Sequence, residues 1–183
     1  AYAEVQNVKV GGYITTYALS RYGFNLANPE TDASGLAMDA TLKITFDLTD
    51  EVSAVMAFRS ERVWGRTTTT GNTAGDLDAY LCAGFVTLKE FLYSPLTLKI
   101  GQQPVRLGSG LIVADPDTNR VSTGPWNYEL GDLSPRKAFT GLVAILDYAP
   151  ATITLAGLKA SEGDLDDAGD DVNAYAVNLA YDF

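Results

Sequence analysis

The stretch Leu36-Ala-Met-Asp-Ala-Thr-Leu-Lys-Ile-Thr-Phe-Asp-Leu-Thr49 decides the fold. Its even positions, Leu36, Met38, Ala40, Leu42, Ile44, Phe46 and Leu48, are all apolar. Its odd positions, Ala37, Asp39, Thr41, Lys43, Thr45, Asp47 and Thr49, are all small or polar. A helical period would mix these sets, so the segment is a strand with one greasy face and one wet face. It is also long, because strands of water-soluble proteins usually run to about 5–6 residues.

The same alternation spreads outward from this segment. Thr49-Asp50-Glu51 reads as a tight turn. Beyond it Val52, Ala54, Met56 and Phe58 oppose Ser53, Ala57, Arg59 and Glu61, with Val55 the one exception on the wet face. From Asn173 to Phe183, Tyr175, Val177, Leu179, Tyr181 and Phe183 face one way and Ala174, Ala176, Asn178, Ala180 and Asp182 the other. Asp76–Thr87 alternates with Leu77, Ala79, Leu81, Ala83 and Phe85 against Asp78, Tyr80, Cys82 and Gly84; Leu96–Gln103 sets Leu96, Leu98 and Ile100 against Thr97, Lys99 and Gly101. Phe139–Tyr148 and Thr152–Lys159 are apolar and β-branched but alternate less cleanly, and Val8–Leu19 is a first strand of open phase. The expectation is eight strands and no helix.

Short and long connections take turns. Thr49–Glu51, Tyr93–Pro95 and Ala149–Ala151 are short; Arg21–Gly35, Gly65–Gly75, Pro104–Ala138 and Glu162–Asp171 are long and polar. Short turns on one side and long loops on the other is the pattern of an outer-membrane barrel. Aromatic residues fall towards both strand ends, as membrane interfaces favour. Phe46, Phe91, Tyr93, Tyr148, Tyr181 and Phe183 lie near short turns or the chain end, and Tyr22, Phe24, Trp64, Tyr80, Phe139 and Tyr175 near long loops. The expected fold is all-β: one antiparallel transmembrane β-barrel domain over residues 1–183, with an extracellular loop over about 104–138. The expected location is a Gram-negative bacterial outer membrane.

Composition narrows the function. The 183 residues are 46% hydrophobic and 20% charged, which would pass for a soluble protein; but only every second residue of a barrel strand meets lipid, which halves the apolar signal. The longest wholly apolar run, Gly141–Leu146, is far below the roughly 20 residues of a membrane-spanning helix. Lys+Arg 13 against Asp+Glu 23 gives a net charge of −10, which argues against a nucleic-acid partner. With no histidine, Ser–His and Cys–His catalysis and His-ligated zinc are excluded within this sequence. The single cysteine, Cys82, allows no internal disulfide and reads as a small buried filler. No motif singles out a catalytic base, so no enzyme activity, catalytic residue or cofactor is expected.

Between Asp78 and Pro116 the sequence resembles a known family. Ala79-Tyr80, Leu88-Lys89-Glu90, Ser94-Pro95-Leu96 and Lys99-Ile100-Gly101-Gln102-Gln103 are followed by Arg106, Gly108 and Gly110 opening a loop. Together they are similar to the alginate-export-like outer-membrane porins. The resemblance implies a barrel through which an anionic polysaccharide or small solute crosses the outer membrane. Where the family carries arginine after the glycine this chain has Gln102, which argues against a strongly basic lumen. Family barrels hold far more than eight strands, so the likeness is to their N-terminal portion, and the chain is expected to be part of a larger barrel.

Several residues are candidates for the working surface. Asp39, Lys43, Asp47, Arg59, Glu61, Asp78, Lys99 and Gln103 are expected to line a lumen and screen solutes by charge. The competing reading is that they pair across strands and satisfy one another. In the longest connection, Arg106, Asp115, Asp117 and Arg120 are candidates for a constriction or ligand site, since loops of this length are usually functional. The acidic run Glu162, Asp164, Asp166, Asp167, Asp170 and Asp171 lacks the spacing of a calcium loop, so it reads as solvated and no metal site is expected. Ala1-Tyr-Ala3 is compatible with a mature chain, and the terminal Phe183 after Tyr181, Leu179 and Val177 resembles the signal read by the outer-membrane assembly machinery. Expected partners are therefore that machinery, outer-membrane lipid with lipopolysaccharide, and further copies or other barrel chains. The alternative function is a small closed barrel serving as an anchor, adhesin or assembly component without transport.

Overall fold

The computed structural model describes residues 6–21, 33–63, 79–114, 138–161 and 172–183. Among these, eight strands form: β1 (Asn7–Arg21), β2 (Ala33–Asp47), β3 (Val52–Val63), β4 (Tyr80–Leu88), β5 (Leu96–Gln103), β6 (Phe139–Tyr148), β7 (Ala151–Ser161) and β8 (Val172–Tyr181). They make one antiparallel sheet in the order β1-β2-β3-β4-β5-β6-β7-β8, so every strand lies beside its neighbours in sequence. No described residue is helical. The sheet is open: β1 and β8 are its edges and are not hydrogen-bonded to each other.

The period of two in β2 sets the register of its neighbours. Asp39, Thr41, Lys43, Thr45 and Asp47 lie opposite Thr15, Tyr13, Gly11, Lys9 and Asn7 of β1. On the other side the same five residues oppose Glu61, Arg59, Ala57, Val55 and Ser53 of β3. This fixes the phase of β1, whose even positions Val8, Val10, Gly12 and Ile14 share the apolar face of Phe46, Ile44, Leu42 and Ala40. A slip of one residue would exchange the faces of a whole strand. We call the face bearing Asp39 and Lys43 the inner face and the opposite one the outer face.

The short links are hydrogen-bonded turns at one end of the sheet. The Thr49 hydroxyl accepts from the backbone N–H groups of Glu51 (3.2 Å) and Val52 (2.9 Å), closing the β2–β3 turn as a side-chain mimic of a backbone turn. In the β4–β5 link, Phe91 N donates to Leu96 O at 3.0 Å. The strand ends that the longer links join lie at the opposite end.

Two elements depart from the simple alternation. In β4 the pairing with β3 runs Ala57↔Ala83 and then Phe58↔Leu81, so Cys82 is an extra residue, a β-bulge. The bulge resets the phase: Phe85 and Ala83 lie on the inner face, Leu81 on the outer, and Tyr80 again on the inner, opposite Arg59. The expectation that Gly84 shares an inner face with Tyr80 is therefore corrected; Gly84 pairs with Met56 and lies on the outer face. Cys82 is buried as expected, its thiol donating to Ala57 O at 3.3 Å.

The second departure explains the poor alternation of β6 and β7. Their inner positions Phe139, Val143, Ala156 and Leu158 are buried, together with Val105 from the segment after β5. Leu107 and Val113 pack on the same cluster, and Gly108 approaches the Asn178 side chain of β8. The stretch Pro104–Ala114 therefore folds back over the inner face of β6–β8 and makes apolar residues necessary there.

Aromatic placement also needs a correction. Phe46 and Tyr181 sit on the outer face near the short turns, and the Tyr181 and Phe183 rings meet edge-on at 5.1 Å. At the other end, Tyr80 and Phe139 lie on the inner face, Phe139 buried beneath the folded-back segment. Tyr175 remains on the outer face, while Tyr22, Phe24 and Trp64 lie outside the described residues.

Candidate functional site: the inner face

Four strands build a polar row across the inner face. Tyr13 (β1), Thr41 (β2), Arg59 (β3) and Tyr80 (β4) are successive cross-strand partners. Arg59 is the centre: its Nε donates to Thr41 Oγ1 at 2.9 Å and one Nη donates to the Tyr13 hydroxyl at 2.7 Å. Asp39 Oδ1 lies 3.3 Å from Arg59 Nε, with the side chains only 7% and 11% exposed. Because that N–H is directed to Thr41, the Asp39 oxygen takes no hydrogen bond and is held by charge alone. A buried carboxylate depends on its countercharge, so Arg59 and Asp39 stand or fall together.

The other expected lumen residues divide by whether they are paired. Asp47 accepts from Lys9 Nζ at 2.9 Å near the turn end, an exposed pair worth little in stability. Glu61 is placed opposite Asp39 by the register. Lys43 stands between Gly11 and Ala57, and Lys99 between Thr87 and Val143. No carboxylate of the described residues lies opposite either lysine. Along β2, Asp39 and Asp47 are each four residues from Lys43, about 13 Å at 3.3 Å per residue, beyond the screening length of physiological salt. Gln103 is fully buried, its amide donating to Lys99 O at 3.0 Å and Gly141 O at 3.3 Å, so it ties strands together.

The folded-back segment supplies the remaining geometry. Leu107 N donates to Val113 O at 2.9 Å and Gly110 N to Leu107 O at 3.0 Å, which closes a compact loop. Gly108 and Gly110 have φ of 56° and 80°, a left-handed backbone suited to glycine. Val105 anchors the loop, while Leu111 and Ile112 form an exposed apolar tip. Arg106 is exposed and donates to the Ser109 carbonyl. Asp78, Asp115, Asp117, Arg120 and the acidic run 162–171 lie outside the described residues.

Thr41 stands on the wet face that the sequence assigns to β2, whereas nothing in the sequence singles out Tyr13 or Val105. The phase of β1 was open, so nothing aimed Tyr13 at Arg59. The apolar residues Val105, Leu107 and Val113 within a connecting segment were the available sign of burial, one that the exposed Leu111 and Ile112 share. Chemically, the described inner face offers charge and hydrogen-bonding groups along a wall, with no cluster of acids and thiols able to hold a metal among the described residues. Compared with models of known protein families and with curated proteins, the chain matches none.

Proposed function

We propose that this chain forms wall of a bacterial outer-membrane β-barrel that passes small solutes or an anionic polysaccharide without an energy source. The observation that carries the reading is the outer face. Exposed apolar residues occupy it on all eight strands, among them Ile14, Leu42, Met56, Val86, Ile100, Leu142, Leu155 and Leu179. A contiguous apolar patch far beyond a few hundred Å² needs a cover. In a soluble sandwich a second sheet would supply it, but all the described strands belong to one sheet. Lipid is a cover that suits every strand equally.

The inner face supports passage rather than anchoring alone. Lys43 is exposed on the wall, and Pro104–Ala114 sits on the same side, where a narrowing element would sit. A small closed anchor barrel would fill that space with side chains from facing strands. The native protein, purified and reconstituted in planar bilayers, should give stable conductance steps of water-filled-pore size. A protein that inserts into vesicles and gives no steps would end the channel reading.

A further inference from the structure

We infer that the inner segment carries a binding site for a small carboxylate with an apolar body, built from Arg106, Leu111 and Ile112; that such a molecule is the solute passed rests on the channel reading above. The segment reaches far down the wall. A Cβ added at Gly108 would lie 3.7 Å from the Asn178 side chain of β8. Asn178 stands in the inner row Thr97–Ile145–Thr154–Asn178, and one further inner row, Asp147–Thr152–Ala180, separates it from the short β6–β7 turn. The loop closed between Leu107 and Val113 therefore lies within the height of the sheet, and a solute moving along β6–β8 passes it.

This loop sets a fixed cation beside two bare apolar side chains. Arg106 is exposed, and one of its N–H groups goes to the Ser109 carbonyl. Its guanidinium lies against the Gly110 backbone: a Cβ there would sit 2.8 Å from the Arg106 Nε and 3.0 Å from the Ala114 Cβ. Gly110 thus makes room for the guanidinium, and its φ of 80° suits the same residue. Among the described residues no carboxylate pairs with Arg106. The two residues after Gly110, Leu111 and Ile112, are 90% and 93% exposed. Consecutive Cα atoms are about 3.8 Å apart, so the cation and the apolar pair fall within the length of one small molecule.

The two halves of the arrangement select one chemistry. A guanidinium held in place binds a carboxylate through two parallel N–H···O bonds. Leucine and isoleucine side chains offer a sugar hydroxyl neither donor nor acceptor, so a uronate unit would meet the cation and leave the apolar pair in water. An alkyl chain or aromatic ring attached to the carboxylate covers both. Its apolar body leaves water against Leu111 and Ile112 while its charge meets Arg106. The site therefore favours a short amphipathic acid over the polysaccharide.

The test uses the full chain refolded in detergent and equilibrium dialysis of acetate, butanoate, hexanoate and hexanol, with partition into protein-free micelles subtracted. Affinity should rise about fourfold for each methylene added. Hexanol, which has the body without the charge, should bind about tenfold more weakly than hexanoate. Arg106→Gln should bring hexanoate down to the level of hexanol. Leu111→Asn combined with Ile112→Asn should flatten the rise with chain length and leave acetate unchanged. The replaced side chains are exposed, so the variants keep the fold, which circular dichroism checks. A flat series in the unaltered chain, or undiminished hexanoate binding by Arg106→Gln, would overturn the inference. Tighter binding of an oligomeric uronate than of hexanoate would overturn it in favour of the polysaccharide. Conductance in planar bilayers is read separately: binding as expected by a protein that gives no steps would support the site and overturn only the channel reading.

Discussion

Replacing Val105 by alanine should loosen the inner segment and leave the sheet intact. Val105 is 6% exposed and touches a cluster contributed by β6 and β7, so its isopropyl group is the main apolar tie between the segment and the wall. The change removes two carbons, worth about 1.6 kcal/mol at about 0.8 kcal/mol each, before any cavity contribution. The cavity left against Phe139 and Leu158 adds to that figure unless the loop collapses into it. At 1.36 kcal/mol per factor of ten, the population with the segment undocked rises about 15-fold. Hydrogen–deuterium exchange reads this directly. The Leu107 amide, bonded to Val113 O at 2.9 Å, should exchange about 15-fold faster, while the amides of β6 and β7 keep their rates. Equal acceleration across β6 and β7 would mean that Val105 supports the whole sheet. Unchanged exchange at Leu107 would refute the idea that it anchors the segment at all.

Other substitutions probe the wall. Arg59→Met leaves Asp39 buried without its countercharge and should cost about 3–5 kcal/mol; adding Asp39→Asn should restore part of it, as read by thermal unfolding in detergent. Leu42→Arg on the outer face should cost about 2–4 kcal/mol in urea titrations of folding into vesicles, whereas Lys43→Ala one residue away should stay within about 0.5 kcal/mol; equal effects would refute the assignment of faces. Gly101→Ala should lower the unfolding midpoint by more than the change of about 1 kcal/mol expected at an ordinary strand position, because φ is 125° there and a Cβ would meet the Gly84 carbonyl. Retained stability would show that β4 and β5 can shift apart at that point.

Where the two faces of a strand meet different surroundings, the fold was readable from sequence. β2, β3, β5 and β8 fall within a few residues of the expected segments because each has one polar and one apolar face. β6 and β7 resisted that reading for a physical reason: their inner face is covered by protein, so both faces are apolar and no period of two survives. The phase of β4 below Cys82 could not be read because a bulge inserts a residue without leaving a compositional mark. At the site, the charges of β2 and β3 were legible as inner residues. The Asp39–Arg59 pair fits the cross-strand reading, but the bond from Arg59 to Tyr13 was hidden, since it depends on which residue of β1 stands opposite Thr41 and the phase of β1 comes only from the register. The burial of Gln103 was equally hidden, because a glutamine on the same face as Lys99 looks like another wet position until Phe139 is placed across from it.

The unequal strand lengths have a consequence for the shape of the rim. β1 and β2 run 15 residues each, whereas β4 and β5 run 9 and 8. At 3.3 Å per residue and a tilt of about 40°, the first pair climbs about 38 Å along the barrel axis and β5 about 20 Å. The apolar band of an outer membrane is about 25 Å tall. On the proposed placement β4 and β5 fall just short of that height, while β1 and β2 continue as a parapet standing above the headgroups. The outer face of β1 changes character accordingly, with Thr16, Ala18 and Ser20 following Ile14. The described strands thus end on a slant, high at β1 and β2 and low at β4 and β5, and under the proposed channel reading a polymer arriving from outside would meet the tall side first.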